Sequence, residues 1–151
     1  MLAPQEVRTY FITSATASRR SIFQVHRTAE LFLQVLRENR AKGRLQLHAF
    51  VVMPDHIHLL LTPASEISLE KTMQYIKGGF SFQLKSKFDV WEKSYANHRV
   101  LDAEDYLRHV EYIEENPVRA HIVEQPKAFL FSSARFKLDP MPDHFNETIR
   151  G

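Results

Sequence analysis

The chain has 151 residues, 44% of them hydrophobic and none of them cysteine; a chain of this length buries roughly 68–70% of its unfolded surface, and disulfides, iron–sulfur clusters and cysteine-ligated zinc are excluded. The formal net charge is +2 and the pI is 8.9, a mild lean towards an anionic partner. Apolar runs such as 50–53 and 59–61 fall far short of the about 20 residues a membrane helix needs, and residues 1–10 hold no apolar segment of signal-peptide length, so a soluble, cytoplasmic protein is expected.

Residues 7–15 contain Tyr10, Phe11, Ile12 and Thr13, β-formers that predict a first strand. Arg19, Arg20 and Ser21 read as a loop. Over 26–40, Ala29, Leu31, Phe32, Val35 and Leu36 recur at helical spacing, and Gly43 follows as a stop signal. Residues 45–53 and 56–62 flank the turn residues Pro54 and Asp55 and predict a β-hairpin. Ser68 is positioned as the N-cap of a second helix, whose apolar face is Leu69, Met73, Ile76, Phe80 and Leu84. Gly78 and Gly79 interrupt it at about 1 kcal/mol each relative to alanine, which a close backbone approach, for instance by nucleic acid, would explain. Residues 95–101 predict a fourth strand. Asp102 then caps a third helix from 103 to about 116, with Pro117 limiting its continuation.

The expected order β-α-β-β-α-β-α contains the ferredoxin-like, RRM-like α+β core: an antiparallel sheet with helices on one face and the other free for a ligand. One domain over 1–151 is expected, less regular from about 118, with a short element near 129–134. That fold serves RNA-binding modules and many enzymes alike, so function rests on the residues it carries.

Two short motifs carry chemistry. In a strand, residues i and i+2 face the same way, about 6.5 Å apart, so His56 and His58 converge on one side while Ile57 turns into the core. Two imidazoles suit several divalent ions, although the pair by itself equally fits two histidines on a sheet face. Tyr112 and Asn116 are i and i+4, neighbours on one helix face. The Asn116 carboxamide is a candidate third ligand, with the Tyr112 phenol beside it; alone, the pair also fits a core tyrosine before an Asn-Pro helix stop. An ordinary phenol, with a pKa of about 10, is ionised to only about 0.1% at neutral pH, and an adjacent cation favours phenolate. Tyr106 shares the helix, but its i+4 partner is Val110; Tyr10, Tyr75 and Tyr95 fall on other elements. His109, three residues before Tyr112, is within reach of the site.

Together the segments Phe11-Ile12-Thr13, Val51-Val52-Met53-Pro54-Asp55-His56-Ile57-His58, Ile76-Lys77-Gly78-Gly79-Phe80-Ser81 and Tyr112-Ile113-Glu114-Glu115-Asn116-Pro117-Val118-Arg119-Ala120 resemble the REP-associated tyrosine transposases, relatives of the single-tyrosine HUH insertion-sequence transposases. The resemblance implies that His56, His58 and Asn116 hold a divalent ion, Mg²⁺ or Mn²⁺, and that Tyr112 is the nucleophile. It implies transesterification of single-stranded DNA with palindromic hairpins: Tyr112 attacks a phosphate, a 3′-hydroxyl leaves, and a 5′-phosphotyrosine intermediate keeps the bond energy for rejoining. It also implies a nucleoid-associated cytoplasmic protein, with a monomer favoured and a homodimer exchanging tyrosine helices left open. Lys77, Lys85, Arg108 and Arg119 are candidate phosphate contacts. The chain departs from the family pattern at Glu114, where relatives often carry histidine, and at His121, where glycine is usual. A binding module without catalysis, or a hydrolase using water as nucleophile, are the alternatives on the same fold.

Overall fold

The structure, a computed structural model, describes residues 7–145; the expected domain limits and the reading of residues 1–10 extend beyond them. Alternating apolar positions build four strands: β1 (Thr9–Ala15), β2 (Leu45–Met53), β3 (His56–Pro63) and β4 (Ala96–Val100). They form one antiparallel sheet in the order β2-β3-β1-β4. Because side chains alternate faces, the even residues of β1 and the odd residues of β3 share one core: Ile12, Ile57, Leu59 and Leu61 pack with Phe32 and Leu36 of α1 (His26–Ala41).

The second predicted helix is present as three pieces, α2 (Leu69–Met73), a π-helical turn (Gln74–Gly78) and α3 (Gly79–Leu84). The Ser68 hydroxyl accepts from the Lys71 backbone N–H at 3.0 Å, as expected of its N-cap. The two glycines do not end the helix. A Cβ on Gly79 would stand 3.5 Å from Val35 Cγ1 of α1, an ordinary contact, and one on Gly78 would meet nothing within 4 Å, so packing requires neither glycine; the Trp91 indole N–H donates to the Lys77 carbonyl at the π-turn. Met73, Ile76 and Phe80 join the α1 core.

The last helix, α4 (Ala103–Arg119), lies on the opposite sheet face. Its buried stripe is Ala103, Tyr106, Ile113 and Pro117, packed among Ala49, Val51, Met53 and Leu60. That face is therefore half-covered by a helix, where the sequence pointed to an open one; the core with its helices on one face is as expected. Pro117 was expected to end α4 near Asn116, yet the helix runs one turn further and buries the proline. A proline interrupts a helix by lacking an N–H and by clashing with the preceding turn; here only the final turn follows it, and its ring joins the apolar stripe.

The residues after α4 edge the sheet. A bulge at His48 shifts the β2–β3 register between Leu47 and Ala49, and the outward N–H groups of β2 are met from the C-terminal segment: Val52 donates to the Phe131 carbonyl, Phe50 to Ser133 Oγ and Leu47 to Asp139 Oδ2. An edge strand is thereby closed to pairing with another chain. The bulge also turns the His48 ring towards Tyr106, 5.4 Å between centroids, and onto Thr62 Oγ1 at 2.8 Å.

Two departures from the family pattern have structural readings. Glu114 lies about half a turn around α4 from Tyr112 and accepts from Ser133 Oγ at 2.9 Å, so it ties the helix to the edge segment. His121 has φ 60° at the end of α4, where its N–H bonds Val118 O and the Ile122 N–H bonds Pro117 O. That is the Schellman pattern, which favours glycine at this residue. Replacing His121 by glycine should stabilise the protein by about 1 kcal/mol, a rise in Tm of about 2–4 °C in a thermal melt.

Burial lowers the pKa of His48 despite the Asp139 and Pro140 backbone contacts. A histidine whose folded pKa lies below its unfolded value contributes stability above about pH 6.5, and loses it as pH falls through the folded value. Denaturant titrations should show the unfolding free energy falling below about pH 6.5, and a smaller slope in His48→Gln.

Candidate metal and tyrosine site

The site is built where β3 passes beneath α4. His56 and His58 point to the α4 side of the sheet, as their spacing predicted, with ring centroids 4.9 Å apart. Strand register supplies their supports: Thr13 of β1 stands opposite His58, and its hydroxyl lies 2.9 Å from His58 Nδ1. Asp55, the turn residue, accepts from His56 Nδ1 at 2.7 Å. The Asp55 carboxyl is raised by burial, but His56 and Arg19 outweigh this and hold it below the usual carboxylate range; Arg19 Nε is 3.2 Å away. A carboxylate only accepts, so His56 donates to it from Nδ1.

His58 is 4% exposed, and its Nε2 is a buried polar atom without a hydrogen-bond partner. Burial first, then the neighbouring His56 and Arg119, push its pKa down to about 3, so the ring is neutral near pH 7. An unpartnered buried polar group costs about 1–3 kcal/mol. Two imidazoles on one sheet face, each held at Nδ1, fit a divalent cation; anchoring at the second nitrogen is how metal-binding histidines are oriented.

On α4 a second stripe, Asp105, His109, Tyr112, Asn116 and Arg119, runs about a third of a turn from the buried one. Tyr112 is 43% exposed, and its ring lies 5.6 Å from that of His58. Phe11 packs against both, 5.4 Å from His58 and 5.8 Å from Tyr112. Asn116 follows one turn on, half-buried. Tyr106 is the poorer nucleophile for a physical reason: it is buried, and its phenol is pushed up to about 12 by burial, Asp139 and Glu114.

The predicted basic residues divide. The Arg119 guanidinium sits 4.4 Å from the centre of the Tyr112 ring and donates to the Tyr112 carbonyl at 2.6 Å. Arg108, on the same helix, pairs with Asp105 at 3.3 Å. Lys77 and Lys85 belong to the interrupted helix on the α1 side of the sheet. Lys77 turns inward, donating to the Glu92 carbonyl at 3.3 Å and lying over Trp91 and Tyr95; burial lowers its pKa. Thr13, Asp55 and the Arg119–Tyr112 stack were not among the predicted site residues, and of these only Asp55, adjacent to His56, carried a local signal.

Comparisons agree with this geometry. Residues 6–125 match the family described as "Transposase IS200 like". A REP-associated tyrosine transposase of Escherichia coli (strain K12) is 28% identical over 126 residues, covering 83% of this chain and 75% of its own length. A putative REP-associated tyrosine transposase of Haemophilus influenzae is 30% identical over 99 residues, 56% of each protein. Among solved structures, a REP-associated tyrosine transposase bound to a REP hairpin superposes with a TM-score of 0.71 at 25% identity, covering 95% of this chain and 90% of the other. A putative transposase from Deinococcus radiodurans, at TM-score 0.55 and 23% identity over 76% of this chain and 95% of its own, shares the fold. With the match spanning all four strands and α4, this chain belongs to the IS200-like transposase family and is a transposase.

Proposed function

We propose that this transposase cuts and rejoins single-stranded DNA next to palindromic REP-like hairpins, with Tyr112 as the nucleophile and His56, His58 and Asn116 as ligands of Mg²⁺ or Mn²⁺. The observation that carries the reading is the buried, unpartnered Nε2 of His58 on the face where the Tyr112 ring stands 5.6 Å from it. The hairpin-bound relative supports the substrate class. When bound, the cation would draw charge from the scissile phosphate and favour phenolate.

The chain's own residues supply the rest. The Tyr112 oxygen forms the new bond to phosphorus and gives up its proton; the 3′-oxygen leaves and takes one up. The 5′-phosphate stays on the protein, so rejoining needs no nucleotide cofactor. Arg119, stacked on the ring, limits where the phenol can point and brings positive charge to the phosphate. Arg108 extends the positive surface along α4, while Lys77 and Lys85 meet DNA only if it wraps beyond the sheet edge. The Tyr112 ring reaches to 5.6 Å from His58 within one copy, a geometry compatible with catalysis by a monomer. A DNA substrate supports a cytoplasmic, nucleoid-associated protein; among the described residues no helix is long and apolar enough to cross a membrane.

Two experiments test the reading. Labelled hairpin DNA incubated with Mn²⁺ should give a denaturation-resistant adduct with the native protein and none with Tyr112→Phe, while hairpin binding changes less than a few-fold. Cutting by both proteins would instead show water as the nucleophile, and binding without cutting by either would leave a binding module. Thr13→Val should lower Mn²⁺ affinity by about 10–100-fold, the usual loss when a ligand's supporting hydrogen bond is removed, measured by titration calorimetry; an unchanged affinity would remove Thr13 from the site.

A further inference from the structure

A second constellation lies on the same sheet face. His98 stands on the edge strand β4, opposite Phe11 of β1, while Asp105 and His109 are i and i+4 on α4. Their ligand-type atoms all lie within 4.8 Å of one another. His98 Nε2 is 2.7 Å from Asp105 Oδ2, and His109 Nδ1 is 3.3 Å from Asp105 Oδ1 and 2.8 Å from the Asp105 carbonyl. The two rings stack at 5.1 Å. The Phe11 ring, 4.5 Å from His109 and 5.4 Å from His58, walls this group off from the first histidine pair.

We propose that His98, Asp105 and His109 form a second divalent-cation site, of zinc type, that pins the tyrosine helix to the edge of the sheet. Two imidazoles and one carboxylate are a donor set suited to Zn²⁺, which takes three protein ligands and a water at about 2.0–2.2 Å. Ligand atoms around such an ion stand about 3.3–3.5 Å apart, so the widest separation here closes by side-chain rotation, with the hydrogen bonds of His98 Nε2 and His109 Nδ1 to Asp105 given up and the proton of each ligating nitrogen released or moved to the other ring nitrogen. His98 supplies that freedom, with its side chain 54% exposed. Arg108 already orients the carboxylate from outside, at 3.3 Å. The ion would cross-link a strand with little pairing on its outer side to the helical turn just before Tyr112. It would hold the nucleophile's helix without touching the reacting atoms, a role separate from that of His56 and His58.

The test counts ions on the folded protein, and needs no activity. In the native protein, equilibrium dialysis against Zn²⁺ and the visible spectrum of the Co²⁺ form should give two bound ions, and one in His98→Ala. In His56→Ala/His58→Ala one ion should remain, with affinity falling at least tenfold when His98→Ala is added. Zn²⁺ should also raise the Tm of that double variant, and lose this effect with His98→Ala. Unchanged binding in His98→Ala, or no ion bound by the His56→Ala/His58→Ala protein with native circular dichroism, would overturn the proposal and leave the three residues as a hydrogen-bonded strut. Loss of the first ion in His56→Ala/His58→Ala reports on the first site alone, so the two readings fail separately.

Discussion

The site depends on the register of β1 against β3. Thr13 opposes His58, Ala15 opposes His56, and Phe11 opposes Leu60; a slip by one residue would turn every β1 side chain to the other face. Thr13 would then lose His58, and Ile12 would leave the core it shares with Leu59 and Leu61. The apolar face of the sheet therefore guards the polar one. Burying Ile12, Ile57, Leu59 and Leu61, each fully inaccessible, stabilises the register by roughly 1.5–3 kcal/mol per side chain. That gain exceeds the cost of one buried imidazole nitrogen without a partner, about 1–3 kcal/mol, and so allows the fold to hold His58 ready for a ligand.

The tyrosine is positioned by the same economy of faces. Helix α4 docks through Ala103, Tyr106, Ile113 and Pro117, and that docking alone decides that the neighbouring stripe, with His109, Tyr112 and Asn116, overhangs β3 and β1. The C-terminal segment reinforces the geometry from outside by closing the β2 edge and holding Glu114 through Ser133. Chemistry and packing thus share a helix without competing for residues. In the proposed reaction, the Arg119 guanidinium over Tyr112 adds charge where the phosphate arrives.

Much of this was legible in local pattern. Strand parity alone placed His56 and His58 on one face, and helical spacing joined Tyr112 to Asn116. The N-caps at Ser68 and Asp102 were equally local, and both hydroxyl and carboxylate accept the expected backbone N–H. What stayed hidden depends on register and on contacts between distant segments. Thr13 is 45 residues from His58 in sequence, and nothing near either residue names the other. Pro117 misled because its local preference for ending a helix is overridden by the burial of its ring. The glycine pair suggested a close approach, and packing within the chain requires neither glycine: a Cβ on Gly79 would make only an ordinary contact with Val35, and one on Gly78 none. Glu114, one of the two departures from the family pattern, is turned by the helical period towards Ser133.

The central claim is that the α4 face of the sheet makes Tyr112, and no other tyrosine, the covalent attachment point for DNA. The most direct measurement is to trap the protein–DNA adduct formed with Mn²⁺, digest both components, and locate the nucleotide-bearing peptide by mass spectrometry. A residual nucleotide on Tyr112 alone, absent when metal is withheld, is the expected result. Modification at Tyr10, Tyr75, Tyr95 or Tyr106, or cleavage that leaves every tyrosine unmodified, would contradict it.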